Sequence, residues 1–284
     1  MNSTKTWFIT GASKGLGLSF VKQLLQQGQQ VAATSRNIDD LISAVGKNVE
    51  GFFPLAVDVK SESSVQNAVA ATIHHFGRID VAVNNAGYGL SGSLEELSDA
   101  ESRDNFDVNV FGTLNVVRSV LPYMREQQAG HIFNISSIAG FTGGFPGFGI
   151  YCATKFAVDG LSESLAAEVK EFGVNVTIVS PGYFRTSFLT SDSLRVPANK
   201  IAAYKTVRAI QETHQQDING NQPGDPEKAV AAVIRIANEK NPPVHLFLGE
   251  DAYELAYKKI AAIEKDLEDW KALGTTTAYE AVNA

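Results

Sequence analysis

Cysteine is nearly absent from this chain, in which Cys152 is the single example among 284 residues. One cysteine excludes an intrachain disulfide and is typical of a protein made for a reducing compartment, so we expect a cytoplasmic protein. Long hydrophobic runs are also missing. The N-terminal segment Trp7-Phe8-Ile9 is too short for the core of a signal peptide, and no apolar run reaches the ~20 residues that span a bilayer. We therefore expect no membrane insertion.

Positive charge is scarce, since 24 Lys and Arg stand against 31 Asp and Glu, for a formal net charge of −7. Nucleic acids and anionic membranes are bound through clustered Lys and Arg, so this balance argues against both and favours a small-molecule substrate. Metal binding is not expected either. His74-His75 has no Cys, Asp or Glu beside it at ligand spacing, and solvated surface histidines are the simpler interpretation.

Short apolar runs and helical patterns alternate along most of the chain. Strands are predicted at 6–10, 31–34, 52–57, 81–84, 131–135, 174–179 and 244–248, and helices at 18–28, 38–45, 62–76, 99–126 and 149–172. Strict alternation predicts a mostly parallel, seven-stranded sheet with helices on both faces, which is the doubly wound or Rossmann α/β architecture. No linker divides the chain, so we expect a single domain over 1–284.

The periodicity fails after Pro181-Gly182, and 186–224 is predicted to be a mobile loop region near the substrate, because loops of this length are usually functional. Order returns where Asp225 can cap a helix. Residues 249–284 are predicted to form a C-terminal helical extension. Its apolar residues recur every three or four positions from Tyr253 to Trp270, which predicts a stripe buried on the domain or on a partner chain.

The first predicted strand ends in a glycine-rich turn that leads directly into a helix. Glycines permit a tight turn and a close approach to a pyrophosphate, and a helix N-terminus offers unpaired N–H groups to it. This context predicts dinucleotide binding, with a plain tight turn as the alternative. The predicted binding residues of this turn are Gly11, Ser13, Lys14, Gly15, Leu16 and Gly17.

The second predicted strand ends in Thr34-Ser35-Arg36, where a carboxylate would bind the ribose hydroxyls of NAD and a cation would bind the 2′-phosphate of NADP. Arg36 stands at that point, and Lys14 in the glycine turn supplies a second cation. We therefore expect NADP(H) to be preferred over NAD(H). The alternative is that both are solvated surface charges.

A hydroxyl pair, Ser136-Ser137, precedes Tyr151 and Lys155, which are four residues apart and therefore share one face of a helix. A neighbouring ammonium lowers the pKa of a phenol, which would let Tyr151 act as an acid or base near neutrality. A Tyr-x-x-x-Lys pattern alone is weak evidence, because an ordinary amphipathic helix produces it equally well.

Taken together, these stretches resemble the short-chain dehydrogenases/reductases from about Lys5 to Thr186. The motifs that carry the resemblance are Thr-Gly-x-x-x-Gly-x-Gly at 10–17, Asp58, Asn84-Asn85-Ala86-Gly87, Asn109-x-x-Gly112, Ser136-Ser137, Tyr151-x-x-x-Lys155, and Pro181-Gly182 with Thr186. The resemblance implies an NADP-linked oxidoreductase that moves hydride between nicotinamide and a carbonyl or secondary alcohol. It also implies a homodimer or homotetramer, in which helices 99–126 and 149–172 often pair across subunits.

The same resemblance implies a catalytic set of Asn109, Ser137, Tyr151 and Lys155. Tyr151 would exchange a proton with the substrate oxygen that Ser137 holds, and Lys155 would bind the cofactor ribose and lower the pKa of Tyr151. Asn109 would support the lysine through a local kink and a water. Further cofactor contacts are implied for Asp58 and Val59 at the adenine, for Asn85, Ala86 and Gly87 along the cofactor, and for Pro181, Gly182 and Thr186 at the nicotinamide.

The spacing departs from the family in one place. Ser137 precedes Tyr151 by fourteen residues, one more than is commonest, so 138–150 must accommodate an extra residue, and Ser136 is the alternative to Ser137. The segments expected to face the substrate are rich in aromatic rings, which suggests a bulky, apolar substrate or simply a sealed core. These candidates are Tyr88, Phe141, Phe145, Phe148, Tyr183, Phe184 and Phe188. A dehydratase, an epimerase and a non-catalytic NADP-binding regulator are the rival functions.

Overall fold

The first strand, β1, shows how the molecule is organised in the computed structural model, which describes residues 4–190 and 193–279. All four side chains of β1, Thr6–Ile9, are buried. Trp7 and Ile9 face one hydrophobic core and Phe8 faces another. Because successive side chains of a strand point to opposite faces, a strand buried on both sides requires helices on both faces of its sheet.

Within the described residues, seven strands form one parallel sheet and two short strands form a second. In chain order they are β1, β2 (Gln30–Ser35), β3 (Phe52–Ala56), β4 (Val81–Asn84), β5 (Gly89–Leu90), β6 (Gly130–Ile135), β7 (Val174–Pro181), β8 (Leu194–Arg195) and β9 (His245–Leu248). The main sheet runs β3-β2-β1-β4-β6-β7-β9, and β5 pairs with β8. The order reverses direction at β1, which places a crevice at the carboxyl ends of the central strands.

The α-helices alternate with these strands. They are α1 (Gly15–Gln26), α2 (Ile38–Val45), α3 (Glu62–Phe76), α4 (Asp99–Phe106), α5 (Gly112–Gln127), α6 (Ile138–Phe141), α7 (Gly149–Glu168), α8 (Lys205–Glu212), α9 (Pro226–Ile236) and α10 (Glu250–Gly274). Helices α1, α2 and α9 cover one face, and α3, α5 and α7 cover the other. The doubly wound, single-domain architecture predicted from the sequence is therefore confirmed.

Local signals account for the helix boundaries that were predicted correctly. The side chain of Asn37 accepts a hydrogen bond from the Asp39 N–H at the start of α2, and Ser61 does the same for Ser64 at the start of α3. Gly77 ends α3 in the left-handed region, which suits glycine. Asp225 caps α9 as predicted, with Pro226 in its first turn.

Three sequence predictions need correction. The helix predicted at 99–126 is α4 and α5 joined by a π-helical turn, Asp107–Phe111, and the helix predicted at 149–172 ends at Glu168 before a short 3₁₀ turn. The region 186–224 is not a continuous loop, because it contains β8, α8 and a π-helical turn, Thr213–Ile218. Residues 191–192 of that region lie outside the described residues, as do residues 280–284 of the C-terminal extension.

The C-terminal extension also differs from the prediction. α10 is present, but only Ala252 and Ala256 are buried along it, whereas Tyr253 and the apolar residues from Ile260 onward are exposed. The predicted stripe is therefore not covered by this chain's own domain. Among residues 4–190 and 193–279, no helix combines the length and the apolar character needed to cross a membrane.

Candidate active site

The glycine turn forms one end of a deep cleft at the carboxyl edge of the sheet. Gly11 has φ +63°, and a Cβ there would lie 2.8 Å from the Cα of Ala86. The Asn85 side chain donates from Nδ2 to the carbonyl oxygens of Thr10 at 3.0 Å and Gly11 at 2.9 Å. The turn is thus fixed against the end of β4 by contacts that only a glycine at position 11 permits.

The start of α1 faces this cleft. Lys14 is the N-cap residue but makes no side-chain cap, so the first-turn N–H groups and the positive end of the helix dipole are free to meet an anion. Gly15 has φ +57°, and a Cβ added there would lie 3.7 Å from the Cβ of Thr186 across the cleft. A backbone cradle with unpaired donors suits the pyrophosphate of a dinucleotide.

The cleft has a volume of about 1020 Å³ and brings together most of the predicted cofactor residues. Those that line it are Gly11, Ser13, Lys14, Gly15, Leu16, Arg36, Asp58, Val59, Asn85, Ala86, Gly87, Tyr151, Lys155, Pro181, Gly182 and Thr186. Gly17 packs beneath the turn against Gly11 and is not part of the lining. Its role in the turn is therefore packing of helix on strand.

The end of the cleft beside β2 holds Arg36, together with two residues that sequence reasoning missed. Asn37 and Asp40 also line the cleft, and Asn37 Nδ2 donates to Asp40 Oδ1 at 3.0 Å. Asp40 lies in the first turn of α2, four residues beyond Arg36. The strand end itself therefore carries the Arg36 cation. The Asp40 carboxylate is already bound by Asn37. A search extended one helical turn beyond the strand would have found it.

Tyr151 and Lys155 lie on the same face of α7 and both point into the cleft. The Lys155 Nζ is 5.8 Å from the centre of the Tyr151 ring and donates to the Ile135 carbonyl oxygen at 2.8 Å. Both side chains are buried. The end of β6 therefore holds the ammonium in place below the phenol.

The pKa of Tyr151 is raised, whereas the sequence predicted that it would be lowered. Burial raises the pKa of Tyr151 well above its usual value, and the interaction with the Ser137 hydroxyl lowers it only in part. Burial likewise lowers the pKa of Lys155 to about 8, while Asp159 acts to raise it. The prediction counted the charge of Lys155 but not the cost of desolvating a phenolate, which is larger here.

The two serines have different partners. Ser137 interacts with the Tyr151 phenol, and its Oγ accepts a hydrogen bond from the Ala139 N–H at 3.1 Å. Ser136 instead lies near Asp159, whose pKa is raised to about 6 by burial. The hydroxyl at position 137 is therefore the one placed beside the phenol.

Asn109 lies behind the cleft, inside the π-helical turn between α4 and α5. Its Oδ1 accepts from the Tyr88 N–H at 3.0 Å, and its Nδ2 donates to the Tyr88 carbonyl at 3.0 Å and to Thr154 Oγ1 at 3.1 Å. The predicted local kink is present, since a π-helical turn is a widened turn of this kind. Asn109 joins the chain after β4 to α7.

The opposite end of the cleft is aromatic. Six of the seven predicted substrate residues line it, namely Tyr88, Phe145, Phe148, Tyr183, Phe184 and Phe188. Phe141 does not, because its ring packs edge-on against Phe247, 5.2 Å away, beneath the first turns of α10. The prediction for Phe141 was wrong because α6 turns that side chain toward the C-terminal helix.

One polar pair interrupts the aromatic wall. The Tyr183 hydroxyl is 2.9 Å from His214 Nε2, and His214 Nδ1 is 2.8 Å from the carbonyl oxygen of Ile210. A carbonyl oxygen only accepts hydrogen bonds, so Nδ1 carries a proton and donates to the Ile210 carbonyl. His214 was missed, because it lies in a polar stretch where a π-helical turn, invisible in the periodicity, points it into the cleft.

Comparison with known proteins places this arrangement in a family. A family model described as short chain dehydrogenase matches residues 5–195. The chain belongs to the short-chain dehydrogenase family. Among its relatives, the oxidoreductase BOA17 of Botryotinia fuckeliana is 38% identical over 276 residues, covering 97% of this chain and 100% of the relative. A 3-ketodihydrosphingosine reductase of Bacteroides thetaiotaomicron is 39% identical over 243 residues, covering 85% and 86%.

Solved structures superpose on most of the chain. A short-chain dehydrogenase from Streptomyces avermitilis has a TM-score of 0.89 at 34% identity, covering 98% of this chain and 100% of that one. The structure of ElxO with NADP bound has a TM-score of 0.70 at 28% identity, covering 86% and 96%. A Burkholderia phymatum enzyme in complex with NAD has a TM-score of 0.80 at 24% identity, covering 93% and 95%. The protein is thus an oxidoreductase of a nicotinamide-dependent family.

The aromatic end of the cleft is held by ion pairs that the sequence did not reveal. Arg195 donates to Asp104 Oδ2 at 2.8 Å and lies over the Tyr88 ring, 4.3 Å from its centre. Arg208 of α8 pairs with Glu96, a fully buried carboxylate that also accepts from the backbone N–H of Ile201 at 2.8 Å. These bonds fasten β8, Ile201 and α8 to the segment that follows β4.

The first turn of α10 also supports the site. Asp251 accepts from the Tyr183 N–H at 2.7 Å and packs against Gly182, where no Cβ would fit. The Pro181-Gly182 turn is therefore held from behind by the C-terminal helix. Sequence reasoning left the role of this helix open, and its acidic N-terminus was the one available signal.

Proposed function

We propose that this protein is an NADP(H)-dependent oxidoreductase that reduces a bulky, apolar ketone to a secondary alcohol, with Tyr151 as the acid. The observation that carries the proposal is the convergence of Tyr151, Lys155 and Ser137 in the same cleft as the glycine turn. A bound nicotinamide supplies the hydride in this direction.

The protonation states support reduction. Because burial raises its pKa, Tyr151 is a neutral phenol at neutral pH and has a proton to donate to a substrate oxygen as negative charge develops there. Ser137, beside the phenol, can donate to the same oxygen and align it. Lys155, with a pKa of about 8, remains mostly charged at neutral pH and favours charge development at the phenol.

Arg36 and Lys14 support a preference for NADP(H) over NAD(H). Both cations line the cofactor end of the cleft, where a 2′-phosphate would form charge-assisted hydrogen bonds. The NADP found in ElxO is consistent with this proposal. The carboxylate of Asp40, which could bind the ribose hydroxyls of NAD, already accepts a hydrogen bond from Asn37.

The aromatic wall supports an extended apolar substrate. Phe145, Phe148 and Phe188 surround the phenol, and the relative from Bacteroides thetaiotaomicron is a reductase of 3-ketodihydrosphingosine. The Tyr183–His214 pair is the polar exception in this wall. We propose that it meets a second polar group of the substrate, a few bonds away from the reacting carbonyl.

We also propose that the protein is cytoplasmic and forms a homodimer or homotetramer. The single cysteine is buried, and the composition is that of a cytoplasmic protein. Phe111 and Phe156 are exposed on the helices that were predicted to pair across subunits, which supports a homodimer or homotetramer.

The test is a panel of ketones, including long-chain 3-keto lipids, incubated with the purified protein and NADPH or NADH while the nicotinamide absorbance is followed. Oxidation of NADPH with the apolar ketones, absent in Tyr151→Phe, is the expected result. Tight NADPH binding without oxidation across the panel would instead assign the protein a regulatory role.

A further inference from the structure

The last helix extends well beyond the domain that carries it. α10 has 25 residues, about 37 Å at the usual rise, and only its first two turns pack on the domain through Ala252 and Ala256. Every residue from Ile260 to the end of the helix is exposed. Isolated helical segments of this length are marginal in water, so the distal half requires another surface for its stability.

The spacing of its apolar residues is more specific than that of an ordinary amphipathic helix. Intervals of three and four residues alternate without interruption along Tyr253, Ala256, Ile260, Ile263, Leu267, Trp270 and Gly274. This is the a/d repeat of a coiled coil, with Ile260 and Leu267 at a positions and Ile263 and Trp270 at d positions. These four side chains are 39%, 64%, 42% and 64% exposed, respectively.

The charged residues beside this seam complement a second copy of the same helix. Lys259 and Asp266 occupy g positions, and Glu264 and Lys271 occupy the e positions that follow. In a parallel, in-register pair, each g residue faces the e residue five positions further along the other helix. Lys259 of one chain then faces Glu264 of the other, and Asp266 faces Lys271.

The antiparallel arrangement of the same exposed segment is unfavourable. Pairing Ile263 with Leu267 in opposite directions places each g residue opposite a g residue and each e residue opposite an e residue. Asp266 would then face Asp266, and Glu264 would face Glu264, at a cost from like-charge repulsion. A lipid surface is also disfavoured, because α10 carries seven acidic and four basic residues.

We propose that residues 260–274 of α10 pair with the same segment of a second copy of this chain, as a parallel, in-register coiled coil. The pairing covers the seam from Ile260 to Trp270 and joins two subunits at their C-terminal helices. Because the base of α10 holds the Gly182–Tyr183 turn through Asp251, the coiled coil also steadies a helix that supports the active site. The proposal does not depend on which substrate the enzyme uses.

Disulfide cross-linking of the full-length chain tests the orientation and register. Cys152 is buried, so I263C adds a single accessible thiol at a d position, where two parallel helices bring the same residue side by side. The matched control is K265C, two residues away on the outer surface. Under mild oxidation we expect I263C to form the cross-linked dimer at least about tenfold faster than K265C. Equal rates, or no cross-link from I263C, would overturn the proposal.

A charge exchange tests the second copy directly. K259E and E264K each place like charges across the seam of a homodimer, so each protein alone should cross-link more slowly in the I263C background. Mixing the two restores opposite charges on both sides, and the mixed dimer should then dominate. Residues 259 and 264 do not face each other within one helix, so restoration on mixing reports contact between chains. A mixture that behaves as the average of its components contradicts the proposal.

Lipid binding is measured in the same experiments. Cosedimentation of the wild-type chain with phosphatidylglycerol vesicles, together with no I263C cross-link in their absence, would assign the exposed face to a membrane and reject the coiled coil. Sedimentation of L267E should show a smaller assembly than the wild-type chain. An unchanged mass for L267E also counts against the proposal.

Discussion

The two ends of the cleft differ in whether backbone groups or side chains form most of the lining. The cofactor end is made largely of backbone, with glycines at positive φ, an uncapped helix N-terminus and Asn85 bound to two carbonyl oxygens. The substrate end is made of side chains, namely aromatic rings, the Tyr183–His214 pair and ion pairs such as Arg208–Glu96. Side-chain substitutions should therefore affect binding at few positions of the cofactor end and at many positions of the substrate end.

This difference explains how one fold keeps its cofactor while its substrate varies. Backbone donors recognise a pyrophosphate whatever the surrounding side chains are, and they fail only when the backbone itself must move. Single substitutions change the shape of an aromatic wall without disturbing the sheet. Mutations at the two ends should therefore separate, with cofactor binding affected by one group and substrate KM by the other.

The largest effect is expected at Gly11. Gly11→Ala adds a Cβ 2.8 Å from the Cα of Ala86 at a residue with φ +63°, so the turn must shift. We expect NADPH binding to weaken about 100-fold, as misplacements near 1 Å commonly do. Fluorescence titration of NADPH measures it.

Gly28→Ala is the matched control, because Gly28 has φ +69° but nothing within 4 Å of an added Cβ. It should lose about 1–2 kcal/mol of unfolding free energy, as expected for a left-handed residue, and keep its affinity for NADPH. Equal NADPH affinities for the two variants would refute the backbone description of the cofactor end.

Arg36→Ala should separate the two nicotinamide cofactors. Loss of charge-assisted hydrogen bonds to a 2′-phosphate should raise the KM for NADPH by roughly 10- to 100-fold and leave that for NADH unchanged. Arg125→Ala, at an exposed position in the last turn of α5 and outside the cleft, is the control. If Arg36→Ala weakens NADH as much as NADPH, Arg36 does not read the 2′ position.

Reduction should slow in alkaline solution. Lys155 has a pKa of about 8, so it loses its charge as the pH rises through that value, whereas the raised pKa of Tyr151 keeps the phenol protonated. Measured kcat/KM for ketone reduction should therefore be flat below pH 7 and fall about tenfold per pH unit above about pH 8. The variant K155R keeps its charge and should not show this decline. A wild-type profile that rises above pH 8 is inconsistent with these assignments.

The smallest effect is expected at the polar pair of the substrate end. Tyr183→Phe removes one hydrogen bond to His214, worth about 1 kcal/mol, and should raise the KM of a ketone with a second polar group about fivefold. The KM for NADPH should not change. Tyr257→Phe, on the exposed face of α10, is the control. A change in NADPH KM without one in ketone KM would place Tyr183 at the wrong end of the cleft.

Much of the cofactor end and the fold was predictable because local signals define them. The bounds of α2 and α3 follow from Asn37, Ser61 and Gly77, and the family was identified correctly from short motifs, most of them at strand ends and two in helical segments. Such residues act on their own neighbourhood in the chain, so spacing alone places them.

The substrate end was predicted less well because its contacts are distant in sequence. α8 is only eight residues long, with Val207 and Ile210 as its large apolar side chains, and Arg208 fastens it to Glu96, 112 residues away. Phe141 is directed toward α10 by a four-residue helix, and the pKa of Tyr151 depends on burial that no spacing reveals. The exposed seam of α10 was visible as a stripe, but not the fact that its own domain leaves it uncovered.

Transfer of deuterium from NADPH labelled at the reactive carbon of its nicotinamide ring is the most direct test of the central claim. With a long-chain ketone that the wild-type protein turns over, the label should appear on the carbinol carbon of the product. Tyr151→Phe should bind NADPH with wild-type affinity and transfer label at least about 100-fold more slowly, the usual contribution of a general acid. Label transfer at the wild-type rate by Tyr151→Phe would contradict the account.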